Sequence, residues 1–485
     1  MSEILFERAV EVLSSADETF RWHLNPGALR RLLPPFETAR VESGSGPEDP
    51  LRAGDRTVIS VGIGPARLRW TAEIVELDED ERFFVDVQRG GPFRAWRHRH
   101  AVGPTDRGSA LLDSVRYALP LGGLGALVAG RSIEKRLDRM FAWRHRTMVH
   151  DLAAHGRARD AGFEGRTVAI TGASGLVGRS LAAFLRTGGH RVLELVRREP
   201  RAPHEVRWDP AAGTVDAAAL EGIDGLVHLA GESIFGLRWS DAKKARIVES
   251  RVKGTRAIVR AVAGMQRPPR VCVFASAIGY YGARGDEVLT EDSTLGTGFL
   301  AETCDAWEAE VRALPDAVRE VRTRLGVVLD PGGGALRTML PAFKAGGGGR
   351  LGDGKQWFPW IALDDVVGAM HRALHDDGLR GPVNLVAPGE VQNAAFTKAL
   401  GRTLRRPTIV PVPRFALKAA IGGEQASELL LASTRVKPQR LLDAGFPFAH
   451  PDLDGALAHA LGRSTQVPGR VDPDTLRTLR GSAPA

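Results

Sequence analysis

Apolar residues recur along this chain with two different periods, and the switch between them divides it into segments. Over residues 1–155 the period is mostly two. "LFERAVEV", "DRTVISVGI", "ARLRWTAEIVEL", "RFFVDVQR", "AWRHRHAV" and "SALLDSVRYAL" alternate apolar and polar positions, as strands with one buried face do. A helical stretch, "SADETFRWHLNPGALRRLL", follows the first of them, with Asp17 and Glu18 in its first turn. A long amphipathic helix over about 131–154 closes the segment, because Ile133, Leu137, Phe141, Met148 and Leu152 return at helical spacing. The polar, glycine-bearing stretch 156–165 reads as a linker.

From Arg166 strands and helices alternate. "TVAI" is a short β-branched run, "LVGRSLAAFLRTGG" is helical and "RVLELV" is a strand again. "GLVHLA" (225–230), "RVCVFAS" (270–276), "EVRTRLGVVL" (320–329) and "PVNLV" (382–386) continue the series. Such βαβ units imply a parallel sheet covered by helices, so residues 166–387 are expected to form an α/β Rossmann domain. Residues 388–462 read as a helical extension with proline breaks, and the polar 463–485 as a poorly ordered tail.

A chain of 485 residues exceeds what one hydrophobic core supports, which agrees with this division. With 43% hydrophobic and 26% charged residues the composition is that of an ordinary globular protein. The best membrane candidate, "LPLGGLGALVAG" (119–130), is too short and carries four glycines, so no span is expected. "MSEILFERAV" lacks the layout of a signal peptide, and two cysteines, Cys272 and Cys304, fit a reducing compartment. A cytoplasmic location is therefore expected. The net charge of +8 does not make a nucleic-acid binder: only nine of the 66 basic residues are lysine, and no nucleic-acid motif accompanies them.

The sharpest local signal is "VAITGASGLVGRSL". Gly172, Gly175 and Gly178 directly follow a strand and open a helix. They would permit a tight turn, backbone approach to a pyrophosphate, and close helix–strand packing. The helix N-terminus offers N–H groups and partial positive charge to phosphates, and Thr171 and Ser174 add hydroxyl donors. At the end of the next strand, where an acidic residue would favour NAD, stand Arg197 and Arg198. A cation there suits a 2′-phosphate, so NADP(H) is the expected cofactor; otherwise both arginines are solvated surface.

"TGASGLVG", "HLAGE" (228–232), "WSDAKKARIVESRVKGTR" (239–256), "SAIGYYG" (276–282), "LGDGKQWFPWIALDD" (351–365) and "GPVNLVAPGEVQN" (381–393) occur in that order. Together they resemble the epimerase-family atypical short-chain dehydrogenases/reductases, a cell-division-inhibitor-like group. "RRPTIVPVPRFALKAAIGGEQASELLLASTRVKPQRLLDAGFPF" resembles that group's C-terminal domain of unassigned function. Residues 1–155 are similar, less specifically, to START-like (SRPBCC, helix-grip) domains, whose curved sheet wraps a long helix around an apolar cavity. The fold class expected is thus an extended short-chain-dehydrogenase-like Rossmann domain preceded by an α+β helix-grip domain. The resemblance implies that Gly172, Ser174, Gly175, Leu176, Val177 and Gly178 hold the cofactor's phosphates and Arg197 its 2′-phosphate. Leu229, Ala230 and Gly231 would border the adenosine side and Ser276 the nicotinamide.

Active members of the wider family use a tyrosine acid with a lysine four residues later, sharing one helix face. In "GFLAETCDAWE" (298–308) those places are held by Phe299 and Thr303, and no Tyr-x-x-x-Lys occurs anywhere in the chain. Counted from the strand the family's serine is Ser276; counted back from "YYG" it is Ala277. Candidate replacement groups are Ser276, Tyr281 and Glu302, with Tyr280 and Glu232 behind them, each also explicable as packing or surface. Leu300, Cys304 and Trp307 form an apolar stripe for the core.

His371 and His375 in "HRALH" have a spacing metals use, but a solvated helix end explains them better, and no metal site is expected. "KAGGGGRLGDGKQWFPW" (344–360) either clamps an anionic or aromatic substrate or is a flexible connector. Trp70, Phe84, Phe93, Trp96 and Tyr117 either line an apolar cavity or fill it as core. Three functions remain open: an NADP(H)-dependent oxidoreductase or isomerase of a small hydrophobic or cyclic substrate offered by the N-terminal domain, a non-catalytic NADP(H) sensor or scaffold, and a nucleotide-sugar epimerase.

Overall fold

The computed structural model describes residues 3–44, 48–63, 66–120, 122–236, 238–467 and 469–481; the chain start Met1–Ser2, Leu121 and the last four residues of the tail lie outside the described residues. It divides into two compact units.

The first unit holds β1 (Ile4–Val12), α1 (Ala16–Leu24), α2 (Ala28–Arg31), β2 (Arg40–Ser43), β3 (Arg56–Ile63), β4 (Ala66–Asp78), β5 (Phe83–Gly90), β6 (Ala95–Thr105), β7 (Gly108–Ala118) and α3 (Gly122–Asp160). The strands form one antiparallel sheet in the order β1-β7-β6-β5-β4-β3-β2. A capping box starts α1: Ser15 Oγ accepts the Glu18 N–H, and Glu18 Oε2 accepts the Ser15 N–H. Period-two burial gives the sheet an inner face, where Phe6, Trp96, Val115 and Tyr117 pack on Leu137 and Phe141 of α3. The aromatic set packs together here: Trp96 meets both Trp70 and Phe93 at 4.9 Å between centroids, and Phe93 meets Tyr117 at 5.7 Å. Phe84 stands apart, stacked on His100 at 4.1 Å.

Two expectations are corrected here. Half of the supposed linker is helix, since α3 runs on to Asp160. Part of the polar tail is ordered as well, and its helix Pro473–Gly481 belongs to this unit. Leu479 of that helix is buried against Ala101, Ala110 and Leu112 on the outer sheet face, an apolar strip that the alternation of β6 and β7 leaves in need of cover.

The second unit carries β8 (Thr167–Thr171), α4 (Leu176–Thr187, of which the part from Ala183 on is assigned to the first unit), β9 (Arg191–Val196), β10 (Glu205–Asp209), β11 (Thr214–Val215), β12 (Gly225–His228), α5 (Asp241–Ala263), β13 (Val271–Ala277), β14 (Val288–Leu289), α6 (Phe299–Val311), β15 (Arg319–Leu325), β16 (Val327–Leu329), α7 (Gly334–Lys344), β17 (Trp360–Ala362), α8 (Leu363–His375), β18 (Gly381–Leu385), α9 (Asn393–Leu404), α10 (Arg414–Ile421), α11 (Gly423–Leu429), β19 (Arg435–Val436), α12 (Gln439–Asp443) and α13 (Leu453–Ala460). The tail helix described above is α14. The main sheet has the order β11-β10-β9-β8-β12-β13-β15-β18 and is parallel from β10 to β18. Its strands are short apolar runs because both faces are covered. Ala169, Leu193, Leu226, Cys272 and Phe274 meet Ile258, Val259 and Val262 of α5 on one face. Strand order reverses between β8 and β12, which opens a crevice at their carboxyl ends, the place where α/β sheets bind ligands. Among the described residues no helix is long and apolar enough to cross a membrane.

Candidate functional site

The glycine loop lies at this crevice. Gly172 adopts φ +70°, and a Cβ there would stand 3.0 Å from the backbone of Leu229 and Ala230. A Cβ on Gly178 would collide with the Gly172 carbonyl, so α4 seats on the turn only because both positions lack side chains. Gly175 and Ser174 are exposed and Leu176 and Val177 half-buried, which leaves the turn and the start of α4 open to a ligand. Thr171 is not a phosphate donor. Its buried Oγ1 accepts the N–H groups of Leu229 (3.0 Å) and Ala230 (3.2 Å) and lies 2.8 Å from His228 Nδ1. This clamps the loop after β12, with Gly231 exposed beyond it, onto the turn after β8. Burial pushes His228 down to about 3, so its ring is neutral and receives the Thr171 hydrogen.

The two arginines after β9 differ. Arg198 is tied to Glu205, with Nη1 to Oε2 at 2.8 Å, and to the Glu199 carbonyl. Arg197 is exposed and has no described hydrogen bond or ion pair. The fit to a dinucleotide is therefore local and chemical: a cradle that side chains would fill, a helix N-terminus, and one uncommitted cation one residue beyond the second strand.

At the end of β13 the candidate hydroxyls meet in one buried network. Ser276 donates to Glu308 Oε1 at 2.6 Å. Glu308, from α6, is clasped by Arg324 of β15 through two bonds of 2.9 Å and by Arg322 at 3.2 Å. Arg324 also donates to the Tyr281 hydroxyl at 2.9 Å, and Tyr281 donates to Asn384 Oδ1 of β18 at 2.7 Å. Tyr281 is fully buried, and burial pushes its phenol up to about 12 despite Arg324. Ser276 and Tyr281 thus belong to one constellation, and both of their hydroxyls are engaged.

Glu302 does not join it; its side chain lies on the exposed side of α6. Glu232 is paired with Lys243 at 2.6 Å. Tyr280 is half-buried, its ring under the Arg324 guanidinium at 3.5 Å, with no described partner for its hydroxyl. Where the tyrosine–lysine pair would stand, Phe299 packs on Trp239 (5.1 Å) and the Lys244 ammonium lies 4.8 Å from its ring. Thr303 Oγ1 is turned back to the Phe299 carbonyl at 2.6 Å. Cys304 and Trp307 are buried, as their stripe implied.

Glu308 and Arg324 are the residues that sequence reasoning missed. The available signal was "EVRTRL", which puts two arginines inside a strand of a covered sheet, where each needs a buried counter-ion. His371 is likewise no solvated helix end: it is buried, with His190 and His375 rings at 6.0 and 5.1 Å. The loop 344–360 is pinned, with Leu351 N–H on Asn393 Oδ1 and Trp357 Nε1 on Asp286 Oδ1.

The chain is similar to known proteins. The family described as "NAD dependent epimerase/dehydratase family" matches residues 168–327, and "Domain of unknown function (DUF1731)" matches 412–460. An epimerase family protein of Mycobacterium bovis is 44% identical over 303 residues, covering 62% of this chain and 98% of its own length. A crystal structure from Corynebacterium glutamicum, described as a nucleoside-diphosphate sugar epimerase, is 33% identical and covers 99% of this chain and 96% of its own, with a TM-score of 0.76. The human epimerase family protein SDR39U1 with NADPH is 34% identical over 61% of this chain and 99% of its own, with a TM-score of 0.57. The chain belongs to the NAD(P)-binding epimerase family, as an atypical short-chain dehydrogenase/reductase with a DUF1731 C-terminal domain.

Proposed function

We propose that this protein binds NADP(H) and is an oxidoreductase or isomerase of a small hydrophobic or cyclic substrate. The observation that carries the cofactor choice is Arg197, left uncommitted beside Arg198, which Glu205 occupies. The human relative solved with NADPH supports the same choice. Gly172, Ser174, Gly175, Leu176, Val177 and Gly178 would hold the phosphates, Arg197 the 2′-phosphate, and Leu229, Ala230 and Gly231 the adenosine side. The bound nicotinamide supplies or accepts hydride.

The proton must come from outside the tyrosine–lysine places. Of the acids named from the sequence, Tyr280 and Glu302 are the two whose side chains have no described hydrogen bond or ion pair. Tyr280 is the better candidate, since its ring stands against Arg324 in the network at the end of β13 while Glu302 lies on the exposed side of α6. Ser276 and Tyr281 then act by fixing Arg324 through Glu308 and the phenol bond. NADPH oxidation over a panel of carbonyls and enones tests this in wild type, Tyr280→Phe, Tyr281→Phe and Glu302→Gln. Turnover that falls at least tenfold in Tyr280→Phe and less in Tyr281→Phe is expected; turnover that is unchanged in Tyr280→Phe and lost in Glu302→Gln transfers the role. NADPH bound tightly with no turnover on any substrate would favour the sensor reading.

For the first unit the reading is a helix-grip, START-like module that takes an apolar ligand and hands it on as substrate. A seven-stranded antiparallel sheet closed by the 39-residue α3 supports it. So do the indole N–H groups of Trp70 and Trp96, buried without an acceptor among the described residues, which a ligand oxygen would satisfy. Native mass spectrometry of the full chain should show a co-purified apolar molecule. A second reading, nucleotide-sugar epimerase, is favoured by the Corynebacterium glutamicum relative and opposed by Phe299 and Thr303.

A further inference from the structure

The inner face of the first unit's sheet carries a polar island. Strand pairing sets Asp86 of β5 directly opposite His98 of β6, and His100 of β6 directly opposite Asp113 of β7. Since His98 and His100 are two residues apart on one strand, all four side chains share a face. That face is the buried one: His98, His100 and Asp113 are each at least nine-tenths covered. His145 reaches Asp113 from α3, Nε2 to Oδ2 at 2.6 Å.

The ring nitrogens are used in a specific way. Towards Asp113, His98 presents Nε2 at 3.1 Å and His100 presents Nδ1 at 2.7 Å. Towards Asp86 Oδ2, His98 presents Nδ1 at 3.1 Å and His100 presents Nε2 at 3.8 Å. A neutral imidazole has one N–H, so it can donate to only one of two carboxylates. His98 has an acid at each nitrogen, whereas His100 Nε2, at 3.8 Å, lies beyond hydrogen-bond reach of Asp86, so Asp86 Oδ2, His98 Nδ1 and His100 Nε2 face one another across a covered gap. A cation would be met there by all three donor atoms. Each ring would turn its other nitrogen to Asp113 and its lone pair to the ion. Donors bound at about 2.0–2.2 Å stand roughly 3–4 Å from one another, a range that includes 3.1 and 3.8 Å. A carboxylate on the far nitrogen of a metal-bound histidine is the usual means of fixing its tautomer, and here Asp113 serves two rings.

We propose that Asp86, His98 and His100 bind one divalent first-row transition-metal ion, with Asp113 and His145 as positioning residues. Two imidazoles and a carboxylate suit Zn²⁺, Fe²⁺ or Co²⁺ rather than Ca²⁺ or Mg²⁺. Asp86 keeps 16% of its side-chain surface, which gives the ion a route from solvent. Three protein donors leave coordination places for water or for an oxygen-bearing ligand in the same unit.

Full-length protein stripped with chelator and dialysed against Co²⁺ tests this. One ion per chain by mass spectrometry, with the visible bands of a nitrogen/oxygen-ligated Co²⁺, is expected in wild type. His100→Ala should lose the ion. Asp113→Asn should keep it with roughly 10–100-fold weaker affinity, as changes to outer partners do. Asp364, His450 and His459 form another His/Asp group in the second unit, so His459→Ala is the control and should retain the ion. Wild type that retains no cobalt or zinc at micromolar free metal overturns the proposal whatever the variants do. So does an ion that survives His100→Ala and is lost in His459→Ala.

Discussion

The Ser276 hydroxyl donates to Glu308 at 2.6 Å, so the serine that a short-chain dehydrogenase would aim at substrate serves here as a ligand of a buried carboxylate. Glu308 in turn neutralises Arg324 and half-buried Arg322. Removing one partner of such a cluster strands the other charge. Glu308→Ala is therefore expected to cost about 3–5 kcal/mol of unfolding free energy, and Ser276→Ala only about 1 kcal/mol. Urea titration of the two variants checks the ordering, and equal losses would contradict it.

Cofactor selectivity should reside in one of the two neighbouring arginines. Arg197→Ala is expected to weaken NADPH binding about tenfold or more, with NADH affinity unchanged, because only the 2′-phosphate contact is lost. Arg198→Ala should leave the NADPH/NADH ratio within about twofold, since its guanidinium is spent on Glu205. Fluorescence titration of both nucleotides against both variants separates them. A ratio that collapses in Arg198→Ala instead would move the phosphate site by one residue.

How much of this was legible follows from where each signal is stored. The glycine turn was readable because its requirement is local: the chain at Gly172 and Gly178 permits no side chain, whatever surrounds it. The strands β8, β9, β12, β13, β15 and β18 were readable as short runs rich in apolar and β-branched residues, though their order in the sheet was not. The commitment of Ser276 and Tyr281 was not, because Glu308, Arg324 and Asn384 come from three other elements and meet only in the folded sheet. The His/Asp island was hidden for the same reason. His98 and His100 sit in "RHRH" with the alternation of an ordinary strand, and only the registers of β5 and β7 bring Asp86 and Asp113 to them. Helix α14 was misread because nine residues of mostly polar sequence owe their order to an outer sheet face, where Leu479 and Leu476 pack and Arg480 meets Glu7.

Two buried histidines in the second unit lower its stability in acid, against Asp365, whose carboxyl burial raises to about 6 and which works the other way. Burial holds His228 near 3 and His190 near 4, while an unfolded chain titrates histidine at 6.5. Between those values the unfolded state binds protons that the folded state does not, so stability is full above about pH 6.5 and falls as pH drops. At pH 5 each group should have removed on the order of 2 kcal/mol relative to pH 7. Melting curves from pH 7.5 to 5 should show a decline that begins above the carboxylate range. A melting temperature flat down to pH 5 would mean that these rings take up protons in place.

The last prediction concerns the helix that replaces the tyrosine–lysine face. Helix α6 begins at Phe299 behind Gly298, which carries no capping side chain. Its first N–H groups are instead met by Glu428 of α11, with Oε1 on Phe299 N–H at 3.0 Å and Oε2 on Leu300 N–H at 2.8 Å. A carboxylate at that end also opposes the positive pole of the helix. The same α11 holds Trp239 N–H through Gln425 at 3.0 Å and Lys244 through Glu424 at 2.7 Å, so the matched C-terminal domain grips both sides of Phe299. Glu428→Ala should cost about 1–2 kcal/mol, as loss of a cap does, and Glu428→Gln less, because an amide oxygen still accepts one N–H. Hydrogen exchange localises the effect: amides at the start of α6 should exchange faster in Glu428→Ala, with those of β8 and β12 unchanged. Protection lost evenly through the parallel sheet would mean that α11 supports the whole unit rather than this one helix end.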